Sequence, residues 1–208
     1  MFVSKYLLTI TIIQFTNRQI AILKATASII HTDGLMALTT KKIADRMGFT
    51  EAALYRHFIG KDEIITGLIS LVNFELNSEF SKIDPFLNAI DQYKVFVDLF
   101  FSYSNRNMKF VSILHSKIFY FEPKYKGQSL NLKEKVHSRL EEVIEMGQNE
   151  KVFRKDLPAN IMADYILGAI DNEMNNWTTS HFNNSITERG QLLSDRFLLL
   201  IKTKPNEN

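Results

Sequence analysis

Cysteine is absent from this chain of 208 residues, and glycine and proline are scarce, at eight and four residues. Without cysteine the chain forms no disulfides and has no thiolate chemistry, which suits a reducing compartment. With so few turn-forming residues, the sequence contains no series of short strands separated by turns. We therefore predict an all-α fold, and a hydrophobic content of 45% is enough to build a core.

Strong net charge is also lacking. The formal net charge of +2 does not by itself indicate a nucleic-acid partner. Its distribution is more informative, because residues 1–70 carry +3 and the remainder carries −1. This modest bias predicts that any DNA binding has a measurable but not extreme salt dependence.

Signatures of catalysis are missing as well. The sequence has no HExxH metal spacing, no phosphate-binding loop and no nucleophile elbow. We therefore predict no catalytic residues, no metal site and no cofactor, and we expect a protein that is not an enzyme.

Long hydrophobic runs are absent too. The apolar run at residues 6–15 is far shorter than the ~20 residues that span a bilayer. No small-residue cleavage site follows it before Arg18, as a signal peptide would require. We expect a cytoplasmic protein with no membrane partner. Residues 1–16 are interpreted as an atypical extension or as a start codon assigned too far upstream.

The most informative segment is TTKKIADRMGFTEAALYRHFIGK, at residues 39–61. Thr39 or Thr40 can cap one short helix and Thr50 a second, because a threonine hydroxyl accepts a bond from a free backbone N–H. Gly48 lies between them, where a positive φ ends a helix at little cost. Two short helices joined by a glycine turn are typical of a helix-turn-helix.

The hydrophilic residues of this segment provide hydrogen-bond donors for DNA phosphates and base edges. A generic helical hairpin with a solvated charged face is the simpler alternative, but it does not explain the order of cap, glycine, second cap and aromatic-basic exit. These donors are Lys41, Lys42, Arg56, His57 and Lys61.

This segment closely resembles the DNA-binding domain of the TetR (tetracycline-repressor) family of bacterial regulators. The resemblance begins near residues 18–23, continues through Gly34 and residues 38–50, and ends with residues 54–58 and 61–63. It implies a three-helix helix-turn-helix DNA-binding domain at residues 17–62. It also implies a C-terminal helical domain for ligand binding and dimerisation at residues 63–208.

By position, the resemblance implies phosphate contacts for Thr40, Tyr55, His57 and Lys61. Base reading would fall to Glu51, Ala52 and Ala53, with Arg56 beside them. Together with the donors and the helix caps, the predicted DNA-binding residues are Thr39, Thr40, Lys41, Lys42, Thr50, Glu51, Ala52, Ala53, Tyr55, Arg56, His57 and Lys61. Glu51 departs from the amide or basic residue that the family often has there. Its carboxylate could accept from a cytosine amino group, or it could repel the DNA backbone.

Hydrophobic periodicity predicts further helices in the rest of the chain. Pro123 is expected to end one helix, and residues 124–129 are predicted to form a polar loop. Lys151 stands where the family often has glycine, before a Phe-Arg-x-Asp-Leu turn. The predicted helices span residues 17–32, 61–76, 85–104, 108–121, 130–146, 159–179 and 187–202.

Aromatic residues are concentrated between Phe80 and Tyr125. The plainer interpretation is a phenylalanine-rich core, and the sharper one is an apolar effector pocket, which TetR-like regulators hold in this part of the fold. The predicted pocket residues are Phe96, Phe100, Tyr103, Phe110, His115, Phe119, Tyr120 and Trp177.

The last two predicted helices carry broad apolar stripes. Because one chain cannot bury both stripes, we predict that they pair with a second copy as a four-helix bundle. The predicted dimer-interface residues are Ile166, Ile170, Met174, Leu193, Phe197 and Leu200.

Together these features predict a homodimeric transcriptional regulator, by preference a repressor, that binds a palindromic operator in double-stranded DNA. An unidentified apolar or aromatic small molecule would modulate its operator affinity. The alternative is a helical protein that binds a ligand or a partner and has lost or weakened DNA binding.

Overall fold

The structure is a computed structural model that describes residues 15–114 and 123–203. Within these residues it is all helical, as predicted, with one 3-10 turn at Leu35–Ala37 and no β-strand. The α-helices are α1 (Asn17–Asp33), α2 (Thr40–Met47), α3 (Glu51–Tyr55), α4 (Lys61–Phe80), α5 (Ala89–Arg106), α6 (Met108–Leu114), α7 (Pro123–Asn149), α8 (Ala159–Thr179) and α9 (Ile186–Ile201).

Helices α1, α2 and α3 form a small N-terminal head. Thr16 caps α1 in a reciprocal capping box with Gln19, and Gly34 ends the helix at φ 80°. Helix α1 contacts α2, α4 and α6. Its fully buried Ile22 and Leu23 supply part of the core on which the head is built. Most of the predicted extension, residues 1–14, lies outside the described residues.

Helices α4 to α9 form the body. Helix α7 contacts α4, α5 and α8, and α9 contacts α5 and α8. Aromatic side chains fill the space between these helices: Phe80 and Phe96 stack with ring centroids 4.7 Å apart. Within the described parts of the chain, no helix combines the length and the hydrophobicity needed to cross a membrane.

Helix α3 ends at Tyr55, and residues 56–58 continue as a turn. The amides of His57 and Phe58 both donate to the carbonyl of Leu54, at 2.9 and 3.2 Å. The Gln19 side chain donates to the His57 carbonyl at 3.1 Å, which stabilises this turn from α1. Phe58 therefore turns inward and remains buried although it lies outside the helix.

Helix α5 begins at Ala89 rather than at Pro85. The side chain of Asn88 accepts from the Asp91 amide at 3.0 Å, which fixes the N-cap. The carboxylate of Asp84 accepts from the Phe86 amide at 2.9 Å and holds the preceding residues in a turn. An asparagine cap therefore decides where this helix starts.

The prediction of a polar loop at residues 124–129 is wrong, because α7 runs without interruption from Pro123 to Asn149. Proline is tolerated at the first position of a helix, where its missing N–H has no partner to lose. Lys124 and Tyr125 contact Asp62 of α4 and so hold this first turn against the body. The turn after α7 places Lys151 at φ 61°, the left-handed region that glycine favours.

Candidate nucleic-acid interface

The helix pair α2–α3 has the local construction that the sequence predicts. Thr39 accepts from the Lys42 amide at 3.1 Å and caps α2, and Thr50 accepts from the Ala53 amide at 3.2 Å and caps α3. Gly48 joins the helices in the left-handed conformation, at φ 66°. The turn is therefore fixed by residues within the segment itself.

Three apolar side chains attach this pair to the head. Ile43 and Ala44 of α2 and Leu54 of α3 are fully buried. The Phe49 amide donates to the Ala44 carbonyl at 2.9 Å across the turn. The guanidinium of Arg18 on α1 lies 4.5 Å from the centre of the Phe49 ring, a cation–π contact. The buried side of α3 is thus fixed, and its opposite side is left for solvent or a ligand.

The structure brings all twelve predicted DNA-binding residues together between Thr39 and the first turn of α4. Residues 39, 41, 50, 52, 55, 56 and 61 are exposed, and residues 40, 42, 51, 53 and 57 are partly buried. Within the described residues, no carboxylate lies within ion-pair distance of Lys41, Arg56 or Lys61. The arrangement offers cations and hydrogen-bond donors around a short, capped helix.

Lys42 and Thr40 already have partners inside the head. Lys42 forms an ion pair with Asp33 at 2.6 Å, and this bond lowers the pKa of Asp33 below its usual range. The Thr40 hydroxyl donates to the carboxylate of Glu51 at 2.8 Å. DNA would therefore compete with Asp33 for Lys42, and the Thr40 hydroxyl proton is committed to Glu51 rather than to a phosphate.

An ionic contact joins the head side of α4 to the start of α7. The Asp62 carboxylate accepts from Lys124 Nζ at 2.7 Å and from the Tyr125 hydroxyl at 2.5 Å. The bond from Lys124, and then that from Tyr125, lower the pKa of Asp62. Burial and the neighbouring carboxylate raise the pKa of Tyr125 to about 12. The sequence pattern did not predict this contact, because residues 124–129 were expected to form a loop.

A cavity of about 540 Å³ opens in the body between α7 and α8, with contributions from α4 and α5. Its inner wall is apolar, and His137, Asp164 and Asp171 line its polar rim. His137 Nε2 lies 3.1 Å from Asp164 Oδ1, and Lys133 lies 3.3 Å from Asp171. The apolar lining residues are Leu76, Phe100, Leu132, Val136, Leu167 and Ile170.

Of the predicted pocket residues, Phe100 lines this cavity. Phe96, Tyr103, Phe110 and Trp177 do not line this cavity and are buried in the core. Contacts within the core hold three of these side chains. The Tyr103 hydroxyl donates to Glu75 at 2.9 Å, and the indole of Trp177 donates to a loop carbonyl at 2.9 Å. The Phe96 ring stacks on Phe80. The remaining predicted residues, His115, Phe119 and Tyr120, lie outside the described residues.

Most of the predicted dimer-interface residues lie in or against the chain's own core. Ile166, Ile170 and Met174 are buried within the chain itself, since α8 packs its apolar stripe against α7. Leu193 and Phe197 are partly buried against the same core. Of the six predicted residues, Leu200 is exposed. Other exposed apolar residues of α8 and α9 are Tyr165, Leu192 and Leu199.

Comparisons with known proteins agree on one family. A sequence model described as "Bacterial regulatory proteins, tetR family" matches residues 22–68, which span most of the head and the start of α4. The nucleoid occlusion factor SlmA of Vibrio atlanticus (strain LGP32) is 30% identical over 180 residues, which cover 83% of this chain and 90% of that protein.

Two solved structures share the fold. The fatty acid degradation regulator FadR from Bacillus halodurans has a TM-score of 0.78 at 18% identity, covering 88% of this chain and 95% of that one. The transcriptional regulator FadR from Bacillus subtilis, solved in complex with stearoyl-CoA, has a TM-score of 0.77 at 14% identity, covering 88% and 98%. At such identities the likeness concerns the fold alone.

Proposed function

Because this chain belongs to the TetR family of bacterial regulatory proteins, we propose that it is a homodimeric transcriptional repressor that binds a palindromic operator. Two heads would insert their α3 helices into successive major grooves about 34–36 Å apart. A small apolar or aromatic effector in the body would favour a dimer whose heads have a different spacing. By linkage, DNA and effector then weaken each other's binding by typically ~1–3 kcal/mol.

The helix pair α2–α3 carries this proposal. Its two threonine caps, its left-handed glycine turn and its buried side leave one face for a ligand, and that face presents Lys41, Arg56 and Lys61. Tyr55, half-exposed, adds a phenolic donor on the same short helix. Cations and neutral donors beside a capped helix match the contacts that position proteins on a phosphate backbone.

The test is a binding titration with the duplex upstream of the protein's own gene at several salt concentrations. We expect Lys61→Ala and Tyr55→Ala to weaken binding similarly on all sequences. Lys61→Ala should also reduce the salt slope by about one, since each neutralised phosphate contributes about 0.9. Lys94→Ala, which removes an exposed cation from α5, is the matched control and should change neither. Unchanged affinity in both Lys61→Ala and Tyr55→Ala would refute the contact assignment. If the wild type binds no DNA, the alternative of lost DNA binding is favoured.

Dimerisation would use the exposed apolar residues of α8 and α9. Tyr165 and Leu200 are each 62% exposed and Leu199 is 79% exposed, which is unusual for large apolar side chains. Pairing these helices with their copies gives a four-helix bundle. We expect sedimentation to show a dimer, and Leu199→Glu with Leu200→Glu to give a folded monomer. Leu130→Glu, at an exposed leucine of α7, is the control. A monomeric wild type would contradict this part of the proposal.

The cavity between α7 and α8 is the proposed effector site. Its apolar wall suits a hydrocarbon or aromatic group, and the Bacillus subtilis fold neighbour was solved with stearoyl-CoA. Gly168 lines the cavity, and a Cβ there would meet no atom within 4 Å. We expect an apolar fluorescent dye such as anilinonaphthalene sulfonate to bind the wild type, and Gly168→Phe to exclude it by filling the space. Equal effector affinity for the free and the DNA-bound dimer would rule out the regulatory linkage.

A second candidate function is nucleoid occlusion, because the SlmA relative aligns over most of both chains. The two candidates differ in cells. A repressor of the proposed kind occupies promoter sites, and its removal changes the expression of the neighbouring genes. A nucleoid occlusion factor, when removed, allows division septa to form over the chromosome. Mapping occupied sites and scoring septum position in a deletion strain separates them.

A further inference from the structure

Glu51 is the feature of the DNA-facing surface that the proposed function leaves unexplained. It occupies the first position of α3, where a negative charge faces the acidic backbone of DNA. The partial positive charge at the N-terminus of a helix stabilises the carboxylate there, but an unspecific binder would gain more from a neutral or basic residue. A carboxylate at this position can be favourable where the DNA sequence places a hydrogen-bond donor on a base edge opposite it.

The structure shows that this carboxylate is held in place. Thr40, at the start of α2, donates its hydroxyl to Glu51 Oε2 at 2.8 Å, so one hydrogen bond links the first turns of the two helices. Within the described residues Glu51 Oε1 accepts no hydrogen bond. Glu51 is partly buried, which limits the other positions that its side chain can adopt. One oxygen is thus anchored, and the other remains available to a ligand.

At this end of α3, Glu51 is the charged side chain that could bond to a base edge. Ala52 and Ala53 have no side-chain donor or acceptor, and their small size permits a close approach to base edges. The Thr50 oxygen is occupied by the cap, since it accepts from the Ala53 amide at 3.2 Å. Tyr55 and Arg56 lie at the opposite end of this short helix. The Thr50 hydroxyl keeps its proton to donate, so Glu51 is the side chain of this turn that only accepts hydrogen bonds, and a base amino group would pair with it.

The major groove contains few partners for a carboxylate. Guanine presents two acceptors and thymine one acceptor and a methyl group, so a carboxylate is repelled by both. Adenine offers an amino donor, but its N7 acceptor lies beside it. Cytosine presents its N4 amino group with no acceptor on its own base, and the paired guanine O6 flanks it on one side only. On this basis we propose that Glu51, positioned by Thr40, is a specificity-determining residue that selects cytosine at one base pair of each half-site.

This inference rests on the proposed function, because it requires α3 to lie in the major groove. Glu51 contacts the base, and Thr40 is a positioning residue that acts through it. Anchoring the carboxylate before binding reduces the rotamer freedom lost on contact, so both the contact and its anchor contribute to discrimination. A good side-chain–base pair discriminates by roughly tenfold to a hundredfold, which sets the size of the expected effect.

The experiment is selection of preferred sites by the full-length protein from a randomised duplex pool, followed by titration of the selected duplex. We expect the wild type to prefer cytosine at one symmetric position and to lose roughly tenfold to a hundredfold in affinity when that pair becomes T·A. Glu51→Gln should abolish this preference or change it to adenine, which an amide can pair with, and leave the other positions unchanged. Asp45→Asn removes an exposed carboxylate from α2 and is the matched charge control. It should leave every base preference intact.

Thr40 is tested at the same position. Thr40→Val removes the hydroxyl and should reduce the cytosine preference several-fold, and Thr40→Ser, which keeps the hydroxyl, should restore it. A merely structural role for Thr40 would alter affinity or thermal unfolding without changing which base is selected. If the wild type selects a sequence and Glu51→Gln selects the same bases with the same discrimination, the inference is overturned and the proposed function stands. If the wild type selects no sequence above competitor DNA, both fall.

Discussion

Replacing Gly147 by alanine tests the close approach of the Phe153 ring to α7. Gly147 lies near the end of α7, where the ring of Phe153 folds back onto the helix. A Cβ built at Gly147 would lie 2.1 Å from Phe153 Cδ2 and 2.5 Å from Cε2. Carbon atoms in contact are ordinarily about 3.5–4.0 Å apart, so the ring would have to move by more than an ångström.

The ring has little room for such a movement. Phe153 is fully buried, and its edge-to-face contact with Tyr93 has a centroid distance of 6.4 Å. Its backbone amide donates to the Gly147 carbonyl at 3.0 Å, which ties the two residues together. Overpacking of this kind costs about 1–3 kcal/mol. Complete expulsion of the ring is bounded by the ~3–5 kcal/mol lost when a buried phenylalanine is truncated.

We therefore expect Gly147→Ala to lower the free energy of unfolding by about 1–3 kcal/mol. For a chain of this size that corresponds to a fall in Tm of about 2–12 °C. The assay is urea and thermal unfolding followed by circular dichroism at one protein concentration, because dimerisation makes apparent stability concentration-dependent.

Gly127→Ala is the matched control, since it makes the same chemical change in the same helix. A Cβ at Gly127 would meet no atom within 4 Å. There the alanine should stabilise the protein by about 0.5–1 kcal/mol, because glycine in a helix interior is entropically unfavourable. In the double variant Gly147→Ala with Phe153→Leu, the smaller side chain should relieve part of the clash. If Gly147→Ala proves as stable as the wild type, the proposed approach of Phe153 to α7 is refuted.

Three further substitutions test other parts of the structure. Lys151→Gly should raise the urea midpoint by the equivalent of about 0.5–1 kcal/mol, because it relieves a left-handed φ of 61°. Lys151→Ala should leave the midpoint without such a rise, and a loss of stability in Lys151→Gly would contradict this account. Thr50→Ala should cost about 1 kcal/mol of unfolding free energy by removing the bond to the Ala53 amide, and Thr50→Ser should retain it. Asp62→Asn should remove a pH-dependent contribution to stability. The bond from Lys124 lowers the pKa of Asp62 in the folded state, so the ionised carboxylate stabilises the fold above the usual aspartate pKa. This stabilisation is lost as the pH falls through the lowered pKa. The gap between wild type and Asp62→Asn should thus be present at pH 7 and close in strong acid, and a gap that widens in acid would be inconsistent with it.

The head was predictable because its signals are local. Thr39, Thr50 and Gly48 act on backbone groups within three or four residues, so their types and spacing fix where α2 and α3 begin and where α2 ends. The helix bounds of α1 and α8 were predicted to within one residue for the same reason, since caps or flanking breakers mark their ends. A signal that acts over one helical turn can be read without knowing the rest of the fold.

The first turn of α7 was not predictable from local signals. Gly127 and a preceding proline indicate a loop, and the side chains that hold this turn against the body bond to Asp62, which is 62 residues away from Lys124 in sequence. A contact of that kind depends on how the helices pack. Tertiary contacts therefore overrode the local preference of this segment.

The apolar stripe of α8 shows a second limit of sequence patterns. Ile166, Ile170 and Met174 recur every four residues, which identifies the inward face of a helix. The pattern does not say whether the face that covers it belongs to the same chain or to a second copy. Here the stripe is buried within the same chain, and Ile170 of the stripe also lines the cavity between α7 and α8.

Helix α7 connects the two proposed binding sites by its position alone. Its first turn bonds to Asp62 at the start of α4, and residues Leu132 to Ser138 of the same helix line the cavity. At 1.5 Å per residue, the cavity wall begins only about 10 Å along the helix from Tyr125. Because a helix moves largely as a rigid element, a molecule that displaces the cavity wall must also move or break the contact with Asp62. If the proposed effector binds in this cavity, α7 and its ionic contact with Asp62 would link the effector site to the first turn of α4, which directly follows the head.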